Sequence, residues 1–175
     1  HVAGYEVFAA RNGSPFWRRR AVVGTLARET PVFKGSMTYL DLNPTWTVPP
    51  TILAEDLLPR VRRDPGYLRT QSISVIDRRG RVVDPGTVNW QAVGRRPPYT
   101  FRQDPGPRNA LGRIKFMFPN PHAIFLHDTP ARALFEQDER NFSSGCIRVE
   151  DPLSLAEIVL AEGDVGNTLM LAAIT

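Results

Sequence analysis

At 175 residues and 42% hydrophobic, the chain has the length of one domain with a well-buried core, since domains usually run to about 100–200 residues. Its 22 basic residues against 18 acidic ones leave a net charge of +4, carried almost wholly by arginine because Lys34 and Lys115 are the only lysines. The arginines are scattered and interrupted by acids such as Asp64 and Asp77. Without stacking aromatics or a basic helix they describe a solvated surface rather than a nucleic-acid footprint, although their forked heads suit carboxylates or phosphates.

No stretch approaches the ~20 apolar residues of a membrane span, and the first residues lack a basic-then-apolar signal pattern. A single cysteine allows no internal disulfide, so cysteine usage does not reveal the compartment. The chain opens on His1 rather than Met, as expected of a piece excised from something longer.

In chain order, two apolar-rich runs flank Asn12-Gly13, the strongest short hairpin signal, and predict two antiparallel strands. From Lys34 to about Pro107 the chain becomes proline-rich and reads as an insertion, with a short helix between Ala54 and Arg62 and a hairpin turning at Arg79-Gly80 within SISVIDRRGRVV. Residues 113–118 and 122–128 read as strands separated by Pro119 and Pro121. Thr129 and Pro130 supply the cap and first-turn proline of a short helix, as do Asp151 and Pro152 for a second helix that ends near Gly163. Residues 168–175, TLMLAAIT, read as a last strand. The balance is mainly β with a few short helices, and there are no internal repeats.

The chemistry-bearing stretch is SSGCIRV, residues 143–149. A lone cysteine is ordinarily a small buried hydrophobe. Here Gly145 lets the backbone turn sharply, so that amide N–H groups around Ser144, Gly145 and Cys146 can converge as an oxyanion hole requires. If Cys146 opens a strand, the period of two puts Arg148 on its face, where the guanidinium can hold a carboxylate near the thiol. A thiol with a pKa near ~8.5 needs a base or a positive field to act as a nucleophile at neutral pH. Of three histidines, His1 is terminal, and His122 and His127, five apart on one predicted strand, fall on opposite faces. His127, 19 residues before Cys146 and at the end of that strand, is the candidate base. Asp128 either holds its second ring nitrogen, as a backbone carbonyl could, or caps the next turn.

HDTP, a short helical stretch and then SSGCIRV resemble the signature of the L,D-transpeptidases, the YkuD-type catalytic domain. NPTWTVPPTILAEDLLPRVRRDPGYL and PGPRNALGRIKFMFPN resemble the large Gram-negative periplasmic members, which carry a substrate-capping lid. The resemblance implies a YkuD-like β-sandwich over residues 1–175, with residues of about 34–107 as an inserted Pro-rich capping subdomain. It implies peptidoglycan stem peptides as donor and acceptor partners, carbapenems as covalent inhibitors, no cofactor, a place in the periplasm or cell envelope, and further N-terminal domains.

Under it, Cys146 attacks the carbonyl preceding a terminal D-alanine, His127 serves as base, and Gly145 and Cys146 donate to the oxyanion. Arg148 and Ser143 orient substrate carboxylates or brace the loop, Arg148 in a structural ion pair if not. Tyr39, Trp46 and Tyr67 either cover the peptide or build the insertion's own small core. Many members have histidine directly before Gly-Cys; this chain has Ser144, which leaves His127 as the base.

A sortase-like enzyme also orders His, Cys and Arg along the chain, but its arginine lies much farther from the cysteine. A non-catalytic wall-binding module would not need a thiol beside glycine. Zinc is disfavoured because no HExxH or paired-cysteine spacing occurs.

Overall fold

The computed structural model describes residues 1–162; the strand expected at 168–175 and the helix end expected near Gly163 lie outside them. In chain order the strands are β1 (Glu6–Arg11), β2 (Ser14–Gly24), β3 (Tyr39–Leu42), β4 (Trp46–Thr47), β5 (Ile73–Ile76), β6 (Val82–Val83), β7 (Thr100–Gln103), β8 (Ile114–Met117), β9 (Leu126–His127), β10 (Asn141–Ser143) and β11 (Ile147–Val149). Two compact units divide the chain, one built from residues 1–44 together with the chain from Leu111 onward, the other from Thr45–Ala110. The mainly β balance agrees with a YkuD-type β-sandwich.

In the first unit the sheet order is β1-β2-β11-β9-β8-β3, with β10 pairing to β2 off this path. The β1–β2 hairpin turns where the sequence places it: Asn12 and Gly13 take φ of 50° and 81°, the left-handed pair that matches strand twist. On β8, Ile114 and Phe116 are fully buried while Lys115 alternates to the other face. Ile114, Phe116, Trp17 and Val149 pack with Leu155 and Ala156 of the helix Pro152–Glu162. Asp151 caps that helix by accepting from the Ser154 amide at 3.2 Å.

The predicted 122–128 strand shrinks to Leu126–His127. The Asn120 side chain accepts from the His122 and Ile124 amides and donates to the Phe118 and Ile124 carbonyls. Its four bonds close a turn that a strand ladder would otherwise have to satisfy. His122 therefore stands in that turn, against the Phe33 ring, and the opposite-face argument does not apply to it. The helix expected after Thr129 is a 3₁₀ turn at Arg132–Glu136. Thr129 Oγ1 accepts from the Ala131 amide instead of capping an α-helix.

The second unit holds the sheet β4-β7-β5-β6. Its helical run is longer than expected, Pro50–Ile52 passing through a π segment Leu53–Leu57 into Leu58–Arg63. Leu58, Val61, Leu68, Val75 and Phe101 form a dry core, with Trp46 and Tyr67 packed against it. β5 and β6 make the hairpin read at Arg79-Gly80, whose turn Asp77 ties by accepting from the Arg79 and Arg81 amides. Tyr39, placed by sequence in the insertion, lies on β3 of the first unit.

Candidate active site

Three neighbouring strands set the site by register. Lys115 on β8 stands opposite His127 on β9, and His127 stands opposite Arg148 on β11. The alternate row, Phe116, Leu126 and Ile147, faces the core, so Lys115, His127 and Arg148 share the other face. Cys146 directly precedes β11, two residues before Arg148, and the same period carries it to the Arg148 side of the sheet.

His127 is buried, and its Nδ1 lies 2.5 Å from the Asp128 backbone carbonyl. A carbonyl oxygen only accepts, so Nδ1 carries the hydrogen and Nε2 is left with its lone pair. Burial pushes the imidazole pKa down to about 4; the bond to Asp128 opposes that shift, and the charges of Arg148 and Lys115 add to it. At neutral pH the ring is a neutral acceptor. Burial also raises the pKa of the half-buried Cys146 thiol, opposed by a backbone hydrogen bond from Phe125 and by Lys115 and Arg148. At rest, therefore, Cys146 carries a thiol and His127 a neutral imidazole.

Arg148 has a buried Nε without a hydrogen-bond partner, and burial lowers its pKa. The ion pair that sequence left open for Arg148 does not form among the described residues. A guanidinium held this way carries an unspent desolvation cost, which a carboxylate arriving at the face would offset. Lys115 rests its ammonium 3.9 Å from the centre of the Phe125 ring. In the sequence Lys115 stands out only as one of two lysines, and the alternation in IKFM is the signal that it leaves the core.

Asp128 is neither exposed nor the partner of the imidazole through its side chain. Its carboxylate accepts from the Arg113 amide at 2.9 Å and faces Arg132 at 3.4 Å. Arg132 also donates to the Glu150 carbonyl, and Glu150 pairs with Arg20. This chain of contacts anchors the segment that carries His127 and gives Asp128 a bracing task. Gly112, with φ of +62°, is required there because a Cβ would sit 2.4 Å from Asp128 Cγ.

The loop that carries Cys146 is held by side chains rather than left open. Ser143 Oγ donates to the Cys146 carbonyl at 2.5 Å and accepts from the Gly145 amide at 3.1 Å. Ser143 thus braces the loop, and the Gly145 N–H, expected as an oxyanion donor, is already engaged. Ser144 is exposed and accepts from Arg28 Nη1 at 2.8 Å. Gly145 takes φ of +107° beneath Ile124 and the Glu29 carbonyl. Thr30 Oγ1 donates to the Gly145 carbonyl at 2.7 Å, a contact spanning most of the chain that no local sequence pattern announces.

Of the remaining expected residues, Tyr39 is exposed on β3. Trp46 and Tyr67 serve the second unit's core, where Arg60 donates to the Tyr67 hydroxyl. Among the described residues no group of three or more His, Cys, Asp or Glu side chains is placed to hold a metal ion. No helix there is long and apolar enough to cross a membrane.

The model of the YkuD family, the L,D-transpeptidase catalytic domain, matches residues 2–168. The chain belongs to this family of acyl-transferring enzymes. It is 40% identical over 162 residues to a Haemophilus influenzae protein provisionally named as an L,D-transpeptidase, an alignment covering 93% of this chain and 33% of that protein. The chain thus spans about a third of the length of that relative.

Proposed function

We propose that this domain makes 3→3 crosslinks in peptidoglycan through a thioester on Cys146. The observation that supports this most is the register that sets His127 beside Arg148, with Cys146 leading into the same strand and Nδ1 of His127 committed to the Asp128 carbonyl. His127 Nε2 takes the thiol proton as sulfur attacks the carbonyl before the terminal D-alanine of a donor tetrapeptide. The C–S bond forms, the C–N bond breaks, and the imidazolium returns the proton to the departing amine. The side-chain amine of an acceptor stem then attacks the thioester and gives its proton to Nε2; a new C–N bond forms, the C–S bond breaks, and the thiol is restored. The thioester conserves the energy of the amide, so neither ATP nor metal is consumed.

The Cys146 N–H faces the developing oxyanion, a contact worth about 3 kcal/mol. Arg148 receives a substrate carboxylate. Capping of the bound peptide would limit hydrolysis of the thioester; Tyr39, exposed on β3, is a candidate contact, whereas Trp46 and Tyr67 pack against the second unit's own core. In this reading carbapenems acylate Cys146, the full-length protein works in the periplasm or cell envelope, and further N-terminal domains accompany this one.

Intact-protein mass spectrometry with a disaccharide-tetrapeptide tests the proposal. An acyl adduct should form with loss of D-alanine in the parent and be absent from Cys146→Ser and His127→Ala. Normal acylation in the histidine variant removes His127 from the base role. A folded parent that forms no adduct favours a wall-binding module.

A further inference from the structure

Residues 24–30 form a turn that grips the nucleophile loop one residue at a time. The Thr25 amide donates to the Ser143 carbonyl at 3.0 Å, Arg28 Nη1 donates to Ser144 Oγ at 2.8 Å, and Thr30 Oγ1 donates to the Gly145 carbonyl at 2.7 Å. Thr30 is buried, and its hydroxyl also accepts from the Gly24 amide at 2.9 Å. With both its donor and its acceptor engaged, the hydroxyl can aim in one direction only. Gly24 is obligatory for this approach, because a Cβ there would lie 2.2 Å from the Arg28 carbonyl oxygen.

A peptide group is planar and trans, so a fixed carbonyl direction fixes the N–H of the next residue in the opposite direction. Thr30 pins the Gly145 carbonyl on one side of Cys146, and Ser143 pins the Cys146 carbonyl on the other. We propose that Thr30 is a positioning residue that orients the Cys146 amide as the oxyanion donor. It acts through the Gly145–Cys146 peptide plane without touching substrate. The inference rests on Cys146 being the nucleophile of the proposed function and adds a requirement to it: without the Thr30 hydroxyl that peptide can rotate, and a donor needed only when the tetrahedral intermediate forms is lost from its place.

Two reactions of the same sulfur separate this role from a merely structural one. Acylation by p-nitrophenyl acetate passes through an oxyanion; alkylation by iodoacetamide does not. Cys146 is the only cysteine, so mass spectrometry reads both at one atom. In Thr30→Val, acylation should slow about tenfold or more while alkylation stays within about threefold, and Thr30→Ser, which keeps the hydroxyl, should restore acylation. Thr30→Ala gives the same comparison if valine is not accommodated.

Unchanged acylation in the variants lacking the hydroxyl, a parallel fall of both reactions, or failure of serine to rescue would each overturn the proposal. If the parent ignores the disaccharide-tetrapeptide while the acylation–alkylation split persists, the peptidoglycan reading falls and the role of Thr30 stands.

Discussion

The Nδ1 atom of His127 donates to the backbone carbonyl of the very next residue, Asp128, at 2.5 Å. A main-chain acceptor cannot gain or lose a proton in the working range, so the tautomer is set by the fold rather than by a titrating carboxylate. The ring stays neutral because burial costs more than that bond returns, holding its pKa near about 4 against an ordinary 6.5.

That difference makes stability depend on pH. Above pH 6.5 the ring is neutral in both folded and unfolded chains; below it the unfolded chain binds a proton that the folded one refuses until about pH 4. Stability is therefore fully present above 6.5 and is lost as pH falls towards 4, by up to about 3 kcal/mol from this group. Urea unfolding of the parent and of His127→Gln at pH 7 and pH 5 checks it. The parent should lose about 2 kcal/mol relative to the variant between the two; an unchanged difference would mean that the folded ring titrates normally.

The thiol gives a second pH signature. Because burial raises the Cys146 pKa, the rate of alkylation by iodoacetamide should rise with a midpoint above the ordinary thiol value of about 8.5. Substrate-driven acylation should begin at lower pH, since in the proposed mechanism neutral His127 removes the proton during attack rather than beforehand. An alkylation midpoint below pH 7 would establish a resting thiolate–imidazolium pair and contradict the neutral one.

How far the sequence disclosed this arrangement differs between its parts. The Asn12-Gly13 hairpin and the Asp151-Pro152 helix start were legible because their signals are local: a left-handed turn pair, and a cap beside a first-turn proline. Cys146 and His127 stand out through composition and motif, and the placement of His127 opposite Arg148 follows from strand register. The extent of the 122–128 strand was not legible, because Asn120 replaces ladder bonds with side-chain bonds that a hydrophobic pattern does not encode. Thr30 was invisible, since its partner Gly145 lies 115 positions away and a threonine before proline has many local explanations. The Gly145 amide was assigned outward on the general behaviour of glycine turns, and the neighbouring Ser143 hydroxyl captured it.

Arg148 should reveal its cost when removed. A partly buried guanidinium whose Nε has no partner contributes little stability and can reduce it. Arg148→Met, close in length and uncharged, should match or exceed the parent in thermal stability while raising KM for a carboxylate-bearing stem peptide about tenfold and leaving kcat less affected. Loss of stability with unchanged KM would assign the residue to the scaffold.

Gly145 tests the loop from the opposite direction. At φ of +107° it occupies backbone space that side-chain-bearing residues rarely enter, and an added Cβ would stand 2.8 Å from Ile124 Cδ1 and 3.4 Å from the Glu29 carbonyl oxygen. The Ile124 methyl can shift; the carbonyl belongs to the turn that also carries Thr30 and has less freedom. Gly145→Ala should thus cost about 1–3 kcal/mol in backbone strain and disturb the Thr30–Gly145 and Ser143–Cys146 bonds together. Calorimetry should show a lower Tm, and acylation of Cys146 should fall more steeply than its alkylation, because the geometry lost is that of the amide and not access to sulfur. A variant with parental Tm and parental acylation would show that the loop reaches its working shape without this backbone conformation.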